Sequence, residues 1–174
     1  IAIEQGQRQG LKIHGWYEHG MMLFPKDKLA RKHPDWLLKT PKGEKIIDGH
    51  LWLDPNNPQV KKYFLNLFTE VAKNYPNLYG IQLDDHWGIP QEFGNQERAM
   101  TNLTRQVVQA IKKVRKELVF SLSPNPIQFA SRRYAQNWLS WVEEGLLDEA
   151  IVQIYRPTSR DIKLSIPSSG LLEE

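Results

Sequence analysis

Short apolar segments alternating with amphipathic helical stretches constrain this chain more than any other feature. "LKIHGWYE" (11–18), "YGIQLDD" (79–85), "LVFSLSP" (118–124) and "AIVQIYR" (150–156) read as strands, rich in β-branched and aromatic residues. Helices are predicted between them. Over 57–75, Asn57 suits the N-cap, Pro58 the first turn, and Val60, Phe64, Leu67, Phe68 and Val71 form an apolar stripe. Over 95–117, Leu103, Val107, Ala110, Ile111 and Val114 recur at helical spacing, and 131–144 reads as a third helix. Antiparallel neighbours need only a tight turn, whereas parallel strands need a crossover, so this rhythm predicts a parallel sheet. No Gly-x-Gly-x-x-Gly and no P-loop follows any strand. The fold class expected is therefore α/β, a parallel (β/α) barrel of the TIM type, here a partial barrel with about four βα units.

Alternation within the strands says where a site would lie. Leu11 and Ile13 alternate with Lys12, His14, Trp16 and Glu18; Ile81 and Leu83 with Gln82 and Asp84. Phe120 and Leu122 alternate with Ser121, Ser123 and Asn125, and Val152 and Ile154 with Gln153 and Tyr155. A parallel sheet covered on both faces would be apolar throughout. Here one set is apolar, to pack under helices, and the other is polar, to line a barrel interior; a half-exposed sheet is the competing explanation. The long connection 19–57 fits a barrel, whose βα loops carry the elaboration. Within it "KIIDGHLWL" places Asp48-Gly49 between apolar runs, a hairpin signal.

Length and charge narrow the function classes. A chain of 174 residues makes one domain, and both of its ends read as cut, so it is expected to be a fragment of a longer barrel. Its net charge of +3 comes from basic residues at 26–32, 39–45, 61–62 and 112–116, which read as solvated surface and not as a nucleic-acid footprint. No apolar run approaches the roughly 18 residues of a membrane span. The absence of cysteine removes disulfides and thiolate metal sites.

The stretch "NLYGIQLDDHWGIP" concentrates the chemistry. Asp84 and Asp85 end a strand where barrel enzymes place catalytic groups. Because side chains alternate, Asp84 should face the lumen and Asp85 turn into the loop towards the neighbouring strand. The competing reading is that one caps the next turn and the other forms an ordinary salt bridge. Glycoside hydrolysis needs two carboxyl groups, and Glu18 and Glu92 in the loops after their strands are the candidate partners. Asp84 is the expected nucleophile or base, with Glu18 or Glu92 as the acid. His14, Trp16, His86, Trp87, Asn125, Gln153, Tyr155 and Arg156 are the expected substrate-binding residues, with Trp16, Trp52 and Trp87 stacking on sugar faces. Trp138 and Trp141, spaced i, i+3, read as core, and Asp54 as a turn-former. A carbohydrate-binding module without turnover and a metal-dependent hydrolase using Asp84, Asp85 and His14 are the alternatives. No His-x-His or His-Glu-x-x-His spacing supports a metal, and no cofactor is expected.

The order of "QGLKIHGWYEHGMMLFP", "HPDWL", "WLDPNNPQVKKYFLNLFTEVAKNY", "YGIQLDDHWGIP", "SLSPNP" and "WVEEGLLDEAIVQIYRP" resembles the glycosyl-hydrolase-like family 10 of bacteria. The resemblance implies a (β/α)8 barrel with carbohydrate hydrolase activity, an oligo- or polysaccharide substrate, and a secreted or cell-envelope setting for the whole protein. The family's strand motif Gly-Ile-x-x-Asp-Asp-Tyr matches Gly80, Ile81, Asp84 and Asp85, with His86 in place of the tyrosine; Trp52-Leu53-Asp54-Pro55, Gln153 and Tyr155 match as well. Four strands cannot close such a barrel, so the open edges are expected to favour self-association or pairing with strands from elsewhere.

Overall fold

A computed structural model describes residues 2–171 of the chain; residue 1 and residues 172–174 lie outside the described residues. The strands expected from the sequence form one parallel sheet. β1 (His14–Tyr17), β4 (Gly80–Asp84), β5 (Val119–Ser123) and β6 (Glu149–Ala150) stand side by side in that order. A separate antiparallel ribbon, β2 (Met22–Leu23) and β3 (Leu51–Trp52), lies in the long connection after β1. Its hairpin forms where expected: Ile47 and His50 exchange both backbone bonds at 3.0 Å. Asp48 (φ 52°) and Gly49 (φ 77°) supply the two left-handed positions of a type I′ turn.

Register confirms the two-faced reading of the strands. His14 pairs with Gly80 and Trp16 with Gln82, while Gly80, Gln82 and Asp84 pair with Val119, Ser121 and Ser123. These residues share one face; Tyr17, Ile81, Leu83, Phe120 and Leu122 share the other. The apolar face packs on α3 (Pro58–Asn74) and α4 (Glu97–Val114) in a single core. That core includes Val60, Phe64, Phe68, Met100, Leu103, Val107 and Ile111, each at most 1 % exposed. Each such side chain contributes about 1.5–3 kcal/mol by leaving water. α3 starts as its sequence dictates, with Asn57 accepting the Gln59 N–H at 2.8 Å and Pro58 in the first turn.

The sheet is rolled. His14 and Glu149, on its two edge strands, approach to 4.0 Å across β4 and β5. Three interstrand steps span about 14 Å in a flat sheet; the His14 ring leans over Gly80, where a Cβ would meet it at 2.7 Å, and a roll of the sheet towards the polar face is in keeping with the remaining approach. The chain is thus a parallel α/β structure of the TIM-barrel type, a partial barrel with four βα strands.

Three expectations are corrected. The strand expected over 150–156 is paired as a ladder only at Glu149–Ala150, although the Ile151 and Gln153 N–H groups still reach the Leu122 and Pro124 carbonyls. Asp148 lies three positions before Ile151 while their acceptors Phe120 and Leu122 lie two apart, so the irregularity falls at the start of β6, ahead of the unbroken pairs Ser121–Glu149 and Leu122–Ala150. The single helix expected over 131–144 is two, α5 (Ile127–Tyr134) and α6 (Trp138–Glu143), broken at Ala135 with φ 50°. Finally, Leu11 does not join the apolar face and is 59 % exposed. Among the described residues the remaining α-helices are α1 (Ala2–Arg8), α2 (Lys28–Lys32) and α7 (Ser159–Ser165), with short 3-10 turns at Pro34–Trp36, Gln91–Phe93 and Ile166–Ser168. Among the described residues, no helix is long and apolar enough to cross a membrane.

Candidate active site

Asp84 closes β4, and the chain turns immediately, the Trp87 N–H bonding the Asp84 carbonyl at 3.0 Å. The turn defeats strict strand alternation. Asp84, Asp85 and His86 each bring one oxygen or nitrogen to a common locus, all within 4.8 Å of one another. Asp85 nevertheless reaches the neighbouring strand as expected: Asn125, just past β5, donates Nδ2–H to Asp85 Oδ2 at 2.8 Å. His86 Nδ1 lies 3.1 Å from Asp85 Oδ1, off the line of a hydrogen bond, and among the described residues it has no hydrogen-bond partner.

Asp84 is 7 % exposed. Burial pushes its carboxyl above the ordinary carboxylate range, and the neighbouring Asp85 charge adds to the rise; the Asp85 backbone N–H, the Gln153 amide and His86 oppose it. Gln153 Nε2 donates to Asp84 Oδ1 at 2.6 Å and to the Ser123 carbonyl at 2.7 Å. Gln153 was expected to bind substrate, but both of its amide protons hold the acid and the strand end, leaving its carbonyl oxygen for a ligand. Asn125, Gln153, Tyr155 and Arg156 line one polar cavity of about 370 Å³. Tyr155 is 79 % exposed there, and Arg156 is steadied by the Ser165 hydroxyl at 3.0 Å.

The other expected site residues divide. Continuing the β1–β4 register by one step carries Glu18 to the level of Asp84, and Glu18 is exposed. Trp16 is 63 % exposed on the same polar face. Glu92 sits on the short helix Gln91–Phe93 with its carboxylate held by Arg133, which also grips Asp48 at the hairpin tip. It buttresses the loops and does not face Asp84 in the acid cluster. His14 pairs four residues before Asp84, about 13 Å lower along the strand. It belongs to a lower polar layer with Ser121 Oγ at 3.3 Å and Glu149, so it neither meets a sugar beside Asp84 nor completes a metal trio there.

Trp87 is the clearest correction. It is fully buried, lies edge-on to Phe64 at 5.0 Å, and donates Nε1–H to Thr104 Oγ1 at 2.9 Å. The turn after Asp84 rotates it under α3 and α4, where it cannot stack on a ligand. Trp52 is 1 % exposed, its Nε1–H bonded to the Ile47 carbonyl, so it too is core. Trp138 and Trp141 are buried as expected, and Asp54 forms a turn by accepting the Asn56 N–H at 2.8 Å.

Gln136 escaped sequence reasoning. It is 1 % exposed and donates Nε2–H to the carbonyls of Asp85 and Trp87, both at 3.1 Å. The Ile89 N–H bonds the Tyr134 carbonyl at 2.6 Å. The break between α5 and α6 exists for this docking, since a continuous helix could not turn residues 134–136 towards the acid loop. A polar residue between two helical apolar patterns was the only signal. Beside it, burial and the Asp48 charge push the Tyr134 hydroxyl up to about 12.

Backbone contact also fixes the loop after β1. The Met21 N–H donates to the His86 carbonyl at 2.9 Å, and the Leu53 N–H to the Met21 carbonyl at 2.9 Å. Gly20 permits this approach: its φ is 53°, and a Cβ there would lie 2.2 Å from the His86 oxygen.

Comparison with known proteins accords with this geometry. The chain is 23 % identical over 211 residues to glycosyl hydrolase DigH of Escherichia coli K12, covering 92 % of this chain and 46 % of that protein. It is 23 % identical over 201 residues to glycosyl hydrolase YngK of Bacillus subtilis, covering 89 % of this chain and 38 % of that one. The chain therefore spans about half or less of these relatives. Among solved structures, the GH36 α-galactosidase AgaA of Geobacillus stearothermophilus superposes with a TM-score of 0.67 at 20 % identity, over 98 % of this chain and 23 % of the enzyme. An α-galactosidase from Lactobacillus brevis gives 0.68 at 17 % identity, over 97 % and 22 %. At such identities the likeness concerns the fold. The model of the family described as glycosyl hydrolase-like 10 matches residues 1–102 and 96–165, and the chain belongs to that family.

Proposed function

We propose that the chain carries part of a glycoside hydrolase active site, with Asp84 as its proton-transferring carboxyl group and an oligo- or polysaccharide as substrate. One observation carries the reading: a buried carboxyl group of raised proton affinity ends the central strand beside a second carboxylate and a polar cavity. A carboxyl group whose hold on its proton is strengthened by burial is a better donor to a leaving glycosidic oxygen than an exposed one. Asp85, oriented by Asn125, is the charged partner that favours the oxocarbenium-like transition state. Glu18, from the neighbouring strand, is the other carboxyl group of the acid/base pair, distinct from Asp85 within the cluster; Glu92 is set aside by Arg133. Trp16, Tyr155 and Arg156 bind the sugar. Two of the similar enzymes are described in complex with stachyose, which supports a saccharide ligand. In this reading the uncovered polar face is a barrel lumen, and edges β1 and β6 pair with strands from another segment or a second copy.

The test uses the natural chain containing residues 1–174 and sugar release from a polysaccharide panel. Asp84→Asn should lower turnover by about 10²–10⁴-fold while leaving saccharide affinity in place. Full turnover in that variant would refute the assignment, and affinity without turnover in the wild type would identify a binding module. The second reading, a metal-assisted hydrolase, is favoured by the convergence of Asp84, Asp85 and His86 within 4.8 Å, His86 replacing the expected His14. Turnover abolished by chelator and restored by added divalent ion would select it; turnover indifferent to chelator removes it.

A further inference from the structure

The polar mouth contains an aromatic surface that the strand-based reading passes over. Phe24 follows β2 directly and is 51 % exposed, large for a ring of this size. His19 stands edge-on to it at 5.6 Å and His50 at 5.3 Å, and His50 lies 6.5 Å from His86, which contacts Asp85. Phe24, His50, His86 and Asp85 thus form a continuous path from an exposed ring to the acid pair.

The loop that bears this ring is fastened at three points. Near its base, the Met21 N–H bonds the His86 carbonyl. Along the ribbon, Met22 pairs with Trp52 and Leu23 with Leu51, over the buried Trp52. At the hairpin tip, Asp48 is held by Arg133 and by the Tyr134 hydroxyl. An aromatic ring on a freely moving loop would signify little; this one is held in fixed relation to Asp85.

We propose that Phe24 is a saccharide-ring platform, a substrate-binding position of the glycoside hydrolase site, and the proposal rests on that reading. A pyranose presents an apolar face of C–H groups and an equatorial rim of hydroxyls. Phe24 offers an exposed ring for the first, and imidazoles on either side offer hydrogen-bonding nitrogens for the second. His50 Nδ1 lies 2.7 Å from the Asp48 carbonyl; a carbonyl only accepts, so Nδ1 carries the proton and Nε2 is left as a hydrogen-bonding atom. The platform replaces the stacking role expected of Trp52 and Trp87, both of which the core absorbs. It extends the site along the polymer from Asp84, so it acts on chains of several sugars more than on a single one.

The experiment titrates the natural chain containing residues 1–174 with cellohexaose, chitohexaose and stachyose, reading affinity by calorimetry and fold by melting temperature. Wild type should bind at least one probe, and Phe24→Ala should weaken that binding about tenfold or more at an unchanged melting temperature. Phe24→Trp should preserve it, which separates the loss of a ring from a disturbed loop. Equal affinity in wild type and Phe24→Ala overturns the platform, and so does a wild type that binds none of the three. Asp84→Asn, titrated in parallel, should bind as wild type does but not turn over. Full turnover there sinks the catalytic assignment while the Phe24 titration still decides the platform.

Discussion

Replacing Gly20 with alanine tests the contact that joins the first βα loop to the acid loop. Gly20 has φ 53°, and a Cβ there would meet the His86 oxygen at 2.2 Å, its carbonyl carbon at 2.3 Å and the Trp87 nitrogen at 2.5 Å. All three are backbone atoms, so no side chain can swing aside. Restoring ordinary contact requires the strands of chain to part by about 1 Å, against close packing that resists it. The left-handed conformation costs an alanine about 1–2 kcal/mol. Losing the 2.9 Å bond from the Met21 N–H to the His86 carbonyl adds about 0.5–1.5 kcal/mol. Together these give a destabilisation of roughly 1.5–3.5 kcal/mol, a fall in Tm on the order of 3–14 °C for a domain of this size. Gly43→Ala is the control: φ there is 84°, but a Cβ meets nothing within 4 Å, so it reports the conformational cost alone. Urea unfolding of the two variants, at matched slope, isolates the clash. If Gly20→Ala costs no more than Gly43→Ala, the loop does not rest on His86 and the fixed placement of Phe24 fails with it.

Other consequences follow from the same geometry. Thr104→Val leaves the Trp87 Nε1–H buried without its acceptor and should cost about 1–3 kcal/mol in chemical denaturation, with saccharide affinity unmoved; a change in affinity would return Trp87 to the site. Burial raises the Asp84 pKa, so the folded chain holds that proton more tightly than the unfolded chain. The stability it contributes is complete below the ordinary value of 3.8 and is lost as pH rises through the raised one. Asp84→Asn should therefore stabilise the fold at neutral pH, with the gain vanishing below the ordinary value, as followed by unfolding across pH; a gain largest in acid would reverse the sign. Arg133→Met removes the ion pairs of Asp48 and Glu92 together, leaving Asp48 the Tyr134 hydroxyl, and should speed amide exchange at residues 46–50 selectively, whereas uniform protection would mean that the hairpin tip is held by other contacts.

Much of the architecture was legible in the sequence because it follows from local periodicity. Apolar residues at every second position marked the inward face of β4 and β5, and those at helical spacing marked the buried faces of α3 and α4. Asn57-Pro58 announced a helix start, Asp48-Gly49 a turn, and an acid pair at a strand end announced the mouth of a barrel. Each of these signals is confined to a few neighbouring residues, whose backbone geometry alone decides which way they point.

What escaped the sequence depended on residues far apart along the chain. Trp16 and Trp87 look equivalent as tryptophans near strand ends. Only the turn from Asp84 to Trp87 sends one beneath two helices while the other stays on the open face. His14 has the right parity for the site but the wrong depth, and depth is set by register against β4. Gln136 and Gln153 gained their roles from carbonyl and carboxylate partners 30 to 69 positions away. The sequence by itself determined the strands, their two faces and the acid pair, because alternation and turn chemistry act within a few residues. Tertiary structure alone decided which of the polar residues meet Asp84, because sheet curvature, loop docking and burial exist only once distant segments pack.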